Sequence, residues 1–353
     1  MDKKMKIWIG VVIAIVIGLV TILGVKIFNK TYKAEEIVVE KQEEPTEEPV
    51  KEEKKNIKIF NGNSRPIAFM IDNNVNAQPQ SSLNKAYLVY ETRLMALFKG
   101  VDVTNQDVTV GPIRSARHYF IDYALENDAI YAHLGQSPQA ESYVKNFSVA
   151  DINGQIYDTG KARTSTSLFW RESPHGNKAP HNAYTSIGSL KQISKDRGYK
   201  LTSAADSVLN YVENEVNLQS DTDANTVVIP YASSHKVKYV YDEATKRYTR
   251  YSKGKLQKDG ETGENITTKN IIISLVYNYS LDDGEGKGRQ TLNNVGTANG
   301  YYITNGKASP ILCQKDSRTG KTVYKNHNGD EIEVNDGNTF INIAPINAEI
   351  EFE

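Results

Sequence analysis

The 353-residue chain has one cysteine, Cys313, so no intrachain disulfide can form and stability must come from packing. Charge of one sign is missing too. With 42 Lys and Arg against 43 Asp and Glu, the formal net charge of −1 lacks the basic excess that nucleic-acid binding requires. Tryptophan and phenylalanine number only 2 and 9, against 21 tyrosines. That balance suits β-strands with wet faces, and also polar or sugar-bearing ligands. The familiar catalytic signatures are absent: no G-x-S-x-G, Walker loop, H-E-x-x-H or paired-cysteine spacing occurs. No metal or cofactor is therefore expected. The glycine-rich DDGEGKG at 282–288 lacks the EF-hand ligand order and reads as a surface turn.

Long apolar runs are rare, with one exception. Residues 7–25 are uncharged and mostly apolar. At roughly 1.5 Å rise per residue they can cross a hydrocarbon core about 30 Å thick. Lys3, Lys4 and Lys6 precede the run and hold the short N-terminal tail in the cytoplasm, which puts the remainder outside. A cleaved signal peptide would have a shorter apolar core and a small-residue cleavage site. A lipid anchor would need a cysteine just after the run, where none stands. Residues 1–30 are thus expected to form a cytoplasmic tail and a single transmembrane helix. Residues 31–56 follow as a disordered acidic tether. Its stretch 35–55 holds nine Glu and four Lys, and cannot bury enough apolar surface to offset the entropy of ordering.

The folded part shows two textures. Residues 57–200 alternate short apolar runs (PIAFMID, LVYETRL, DVTVG, AIYAHLG) with helical patterns (SARHYFIDYALEND, PQAESYVKNF, SIGSLKQISKDRG), which predicts a layered α/β domain. A connector at 201–225, with TSAADSVLNYVENEV at helical spacing, leads to 226–353. There, short β-runs separated by Gly, Asn, Asp and Lys turns predict a mostly antiparallel β domain. The expected fold class is α+β or α/β, an α/β domain followed by a β-rich one.

Candidate site residues come from two segments. In 110–141, Ala116, Tyr119, Phe120, Tyr123 and Ala124 define one apolar helix face. Arg114 and Arg117 crowd the start of that helix, with Ser115 as its expected N-cap. Two arginines beside free backbone N–H groups would make a cradle for phosphate or carboxylate. The alternative is that one arginine pairs with Asp122 or Asp72 and the other is solvated. The second segment, 169–186, reads as a long irregular loop carrying Arg171, His181 and Asn182. His133 ends a predicted strand, a common position for ligand-facing groups. Folding the loop over that strand end would gather Arg114, Arg117, His133, Arg171 and His181 into one basic pocket.

RPIAFMIDN, GPIRSAR-x-YFID-x-A, GxSPQA and KAPHN-x-Y resemble the N-terminal part of the YerB-like envelope protein family, domain of unknown function 3048. YDEATKRYTR-x-x-x-GK, TKNIIISLV and DGNTFINIAP resemble its C-terminal domain. The resemblance covers nearly all of residues 60–347 and implies a Gram-positive-type surface protein of two domains without an established activity. The chain departs from that pattern in its membrane anchor, where many relatives look like lipoproteins, and in Phe340, where a Trp is usual.

Two functional readings follow. The arginine pair without a nucleophile–base motif favours a binding module for an anionic wall polymer or an envelope-assembly partner. The alternative is an enzyme on a phosphate- or carboxylate-bearing envelope substrate. It would use His133 or His181 as acid or base, the arginines to stabilise charge and Asp72 to hold a divalent cation.

Overall fold

Five consecutive apolar residues, Ile67–Ile71, form β1, and all five are buried. An unbroken apolar run of this kind belongs to a strand covered on both faces. β1 pairs antiparallel with β3 (Leu94–Phe98) and parallel with β5 (Ile130–His133), which is itself parallel to β6 (Asp151–Asn153). β2 (Leu88–Glu91) turns into β3 through Thr92 and Arg93. Three helices accompany these strands: α1 (His118–Glu126), α2 (Pro138–Asn146) and α3 (Ile187–Asp196). Ser137 caps α2 by accepting from Ala140 N, with Pro138 in the first turn, and Ser186 caps α3 through Ser189 N. β4 (Thr109–Val110), β7 (Phe169–Arg171) and β8 (Ala183–Ser186) form a small antiparallel sheet.

The later strands fall into two sheets. β10 (Thr226–Ala232), β11 (His235–Asp242) and β12 (Arg247–Ser252) make an antiparallel meander. It is extended by β13 (Lys255–Leu256), β14 (Thr267–Thr268) and β23 (Glu351–Phe352) into six strands. β15 (Asn270–Val276), β18 (Gly296–Thr304), β19 (Lys307–Lys315), β20 (Thr322–Lys325) and β22 (Thr339–Pro345) instead join the strands around β1. The result is one mixed ten-stranded sheet, ordered β20-β19-β18-β15-β22-β2-β3-β1-β5-β6. Two short pairs complete the set, β16 (Asn278–Ser280) with β17 (Gln290–Leu292), and β9 (Tyr211–Val212) with β21 (Val334–Asn335).

In this computed structural model the described residues are 56–100, 108–284 and 286–353. The expected transmembrane helix and all but the last tether residue lie outside them. Among the described residues no helix is long and apolar enough to cross a membrane.

The period-two alternation of the strands divides the core. Ile67, Phe69 and Ile71 of β1 face Val227, Ile229, Val237 and Tyr239 of the six-stranded sheet, together with Leu190 and Ile193 of α3. Ala68 and Met70 face Tyr119, Phe120 and Ala124 of α1. The molecule is therefore mostly β, built on a large mixed sheet. An α/β layer followed by a separate antiparallel domain is not what forms, because β22 inserts parallel beside β2 and ties both stretches into one sheet. The connector also differs from expectation. Residues 201–225 contain no helix; Val208, Leu209 and Tyr211 are buried from an extended path that pairs with β21.

Candidate functional site

Asp72 follows β1 directly, at the carboxyl end of a strand parallel to β5. Its backbone N–H donates to Pro112 O at 2.8 Å, and Arg114 N donates to Met70 O at 2.8 Å. Leu134 N in turn donates to Arg114 O at 3.0 Å, and Ile113 N to Ala183 O at 2.7 Å. The GPIRSA segment is thus threaded between the ends of β1, β5 and β8, which fixes where Arg114 projects. A ligand crevice outside the carboxyl ends of parallel strands is the general expectation for such sheets.

Three side chains meet there. Asp72 Oδ2 lies 2.7 Å from His181 Nδ1 and 3.5 Å from Arg114 Nε. Asp72 Oδ1 accepts from Asn74 N at 3.0 Å. The carboxylate is almost wholly buried, whereas the Arg114 side chain keeps 33 % exposure and His181 keeps 15 %. His181 Nε2 and the Arg114 Nη groups have no hydrogen-bond partner among the described residues. An imidazole and a planar guanidinium are thus held side by side on one buried carboxylate. Such a pair can receive a phosphate or carboxylate.

The other expected members lie elsewhere. His133 is fully buried, with Nδ1 2.8 Å from Gly135 O and Nε2 2.5 Å from Asp151 Oδ1. Both ring nitrogens are occupied by the fold, so it offers nothing to a ligand. Arg117 serves as the N-cap position of α1, without a side-chain cap. Its guanidinium is lowered to about 10 by burial and by neighbouring Arg93 and Arg289, so it belongs to a different cluster from Arg114. Ser115 is consequently not the N-cap, since α1 starts two residues later than the sequence pattern suggested. Arg171 is bound at Nε and Nη2 to Asp158 Oδ2, at 2.9 and 2.7 Å, with Nη1 3.4 Å from Asn182 Oδ1. Arg171 and Asn182 thereby brace the His181 loop. That loop is shorter than expected, because β7 and β8 take up both ends of 169–186. Asp72 has its oxygens committed to Asn74, His181 and Arg114, and among the described residues no group of three His, Cys, Asp or Glu is placed to hold a metal ion. The divalent-cation role for Asp72 thus lacks a ligand set.

A polar shell that the sequence did not reveal begins at the trio. Gln80 Nε2 donates to Asp72 O at 3.0 Å, leaving Gln80 Oε1 buried without a partner. Ser81 Oγ and Ser82 Oγ, next along the chain, are likewise buried without a protein partner, while the buried side chains of Tyr184 and Asn177 interact with each other. Asn73 Nδ2 reaches Glu91 Oε1 at 3.3 Å, and Glu91 Oε1 is 2.6 Å from Arg250 Nη2, both charges fully buried. This chain runs from the site into the six-stranded sheet. No short motif could have shown it, because each member is individually an ordinary Gln, Ser or Asn.

Comparison with known proteins gives the chain a family. Residues 51–200 match the model of the N-terminal domain described as a protein of unknown function (DUF3048), and residues 227–341 match its C-terminal domain. YerB of Bacillus subtilis (strain 168), provisionally named a lipoprotein, is 30% identical over 302 residues, covering 80% of this chain and 81% of that protein. The crystal structure of YerB from Bacillus subtilis is similar with a TM-score of 0.68 at 29% identity, over 82% of this chain and 94% of that one.

Proposed function

The chain belongs to the DUF3048 family, with both its N-terminal and C-terminal domains, and from this we propose that it is an extracytoplasmic envelope protein binding an anionic ligand at Arg114 and His181. Residues 7–25 anchor it, with the N-terminus cytoplasmic and the folded part outside. The lipoprotein name of YerB fits a relative held at the same surface by another kind of anchor. The ligand is a phosphate- or carboxylate-bearing wall polymer or the acidic surface of an envelope-assembly partner.

The observation that carries this reading is the convergence of Arg114 and His181 on buried Asp72. Asp72 orients both side chains, the guanidinium of Arg114 and the imidazole of His181, through their inner nitrogens. A charge-assisted hydrogen bond contributes about 1.5–3 kcal/mol, so losing Arg114 should weaken binding roughly 10- to 100-fold. The test is calorimetric titration of the full chain, in a non-ionic detergent without a sugar headgroup, with inorganic phosphate, citrate and a wall-acid polymer. Salt-sensitive binding that Arg114→Glu abolishes and Arg117→Glu leaves intact is expected. Equal binding by Arg114→Glu would remove the proposal.

The same Asp72–His181 pair favours a second reading as a hydrolase. Asp72 accepting from Nδ1–H leaves Nε2 free to take a proton from an attacking water, with Arg114 beside the developing charge. Asp72→Asn separates the two. Hydrolysis of phosphate or carboxylate esters should fall by about 10²–10⁴ if His181 is a general base. Anion affinity should change far less.

A further inference from the structure

None of the three residues that form the Arg114 site lines the cavity of about 340 Å³ that opens where β15 and β18 part. The two strands pair antiparallel from Asn270↔Thr304 to Ser274↔Gly300 and no further. β18 runs on beside β19 down to Gly296↔Lys315, while β15 continues beside β22 to Val276↔Pro345. Gly300 sits at the fork, where a Cβ would stand only 2.0 Å from Ile273 O. Asn293 N donates to Tyr277 O at 3.0 Å and closes the far end of the opening.

The walls have a definite chemistry. Val276, Ile341 and Ile343 provide an apolar floor. The lining holds one charged side chain, Lys315, and its ammonium is already bound to Glu126 Oε2 at 2.6 Å and to Gly320 O. No charge is left for an ion. At the mouth stand the exposed polar side chains Asn293, Thr297 and Asn299. Beside them Tyr277 and Tyr279 are 55% and 49% exposed, with ring centroids 5.7 Å apart.

We infer that this fork is a binding site for a neutral saccharide, an N-acetylated hexosamine chain end. A pyranose offers an apolar C–H face to a tyrosine ring and hydroxyls at its rim to amide side chains, and an acetamido group combines a methyl with a donor and an acceptor. That mixture of apolar floor, aromatic rim and neutral hydrogen-bonding groups is what the fork presents. The volume falls near the lower end of small-ligand pockets, suited to a sugar or two. The overrun of β18 could attract an extended peptide instead, by strand addition. The Asn293–Tyr277 hydrogen bond disfavours this, because it closes the slot along which such a strand would run.

The probe is an N-acetylglucosamine trimer titrated into the full chain in a non-ionic detergent without a sugar headgroup, read by calorimetry. Saturable binding is expected, weakened about tenfold or more by Tyr277→Ala and retained by Tyr277→Trp, a change at an exposed side chain that spares the fold. Arg114→Glu should leave it unchanged, which keeps this result independent of the anion site. Absence of saturable binding at millimolar trimer overturns the inference, as does equal affinity in Tyr277→Ala or displacement of the trimer by an extended peptide.

Discussion

His118 and Asp122 lie one turn apart on α1 and share the neighbouring charge of Arg318, yet burial moves them in opposite senses. Burial, then Arg318 and Arg117, lowers the His118 imidazole to about 4. Burial raises the Asp122 carboxyl to about 6, against the pull of Arg318 3.0 Å away. A raised carboxyl stabilises the fold fully below its unfolded value of 3.8 and loses that contribution as pH climbs through about 6. By pH 7 the loss is on the order of 3 kcal/mol. A lowered imidazole works the other way, contributing above its ordinary value of 6.5 and losing the contribution as pH falls through about 4. The two slopes oppose each other between about pH 4 and 6. Denaturant titrations across that range should show Asp122→Asn gaining stability relative to the parent as pH rises, and His118→Gln gaining as pH falls. Parallel profiles would refute both assignments. The Glu91–Arg250 pair gives a second test, since removing one partner strands a buried charge. Arg250→Met should cost about 3–5 kcal/mol, while Glu91→Leu with Arg250→Met should recover much of it. Additive losses in urea unfolding would mean that the charges do not depend on each other.

Elements were legible where the local signal was self-sufficient. β1 announced itself as the apolar run PIAFMID, and α2 and α3 as the helical patterns PQAESYVKNF and SIGSLKQISKDRG. The connector misled because Val208, Leu209 and Tyr211 satisfy helical spacing, while β21, which pairs with Tyr211 and Val212, lies far along the chain. Propensity gave way there to a tertiary pairing. The start of α1 misled for a related reason. Ser115 could have capped a helix, but the backbone around it is committed to β1 and β5 through the hydrogen bonds of Arg114 and Ala116. The β15–β18 fork was also hidden, since nothing in NNVGTANGYY tells how far β18 stays paired. Its glycine now makes a sharp prediction. Gly300→Ala drives a Cβ into a backbone oxygen that has little room to yield, and should cost at least about 1–3 kcal/mol in denaturant unfolding. An unchanged midpoint would mean that the strands separate more easily there than their pairing implies.

At the scale of the whole molecule, sequence texture separated 57–200 from 226–353, and the family match divides at nearly the same place. What texture could not show is that the sheet ignores this division. Arg114 and His181 were both named from sequence, but their meeting on Asp72 depends on a loop more than a hundred residues from β1, and the polar shell reaches Arg250 in the other half. The seam is structural as well as chemical: β22 lies between β15 and β2, so the second stretch supplies the strand on which the first one rests. Phe340 and Ile341 pack on opposite sides of that seam, one in each core. Neither stretch can then bury its own apolar faces. Residues 54–225 and 226–353 produced separately should lack dispersed amide NMR spectra, whereas mixing them should restore the fold, and the intact chain should unfold in one cooperative transition by far- and near-ultraviolet circular dichroism. Two independently folded fragments, or two separated transitions, would show that the shared sheet is a contact between autonomous domains. The site at Asp72 would then have to work without its link to Arg250.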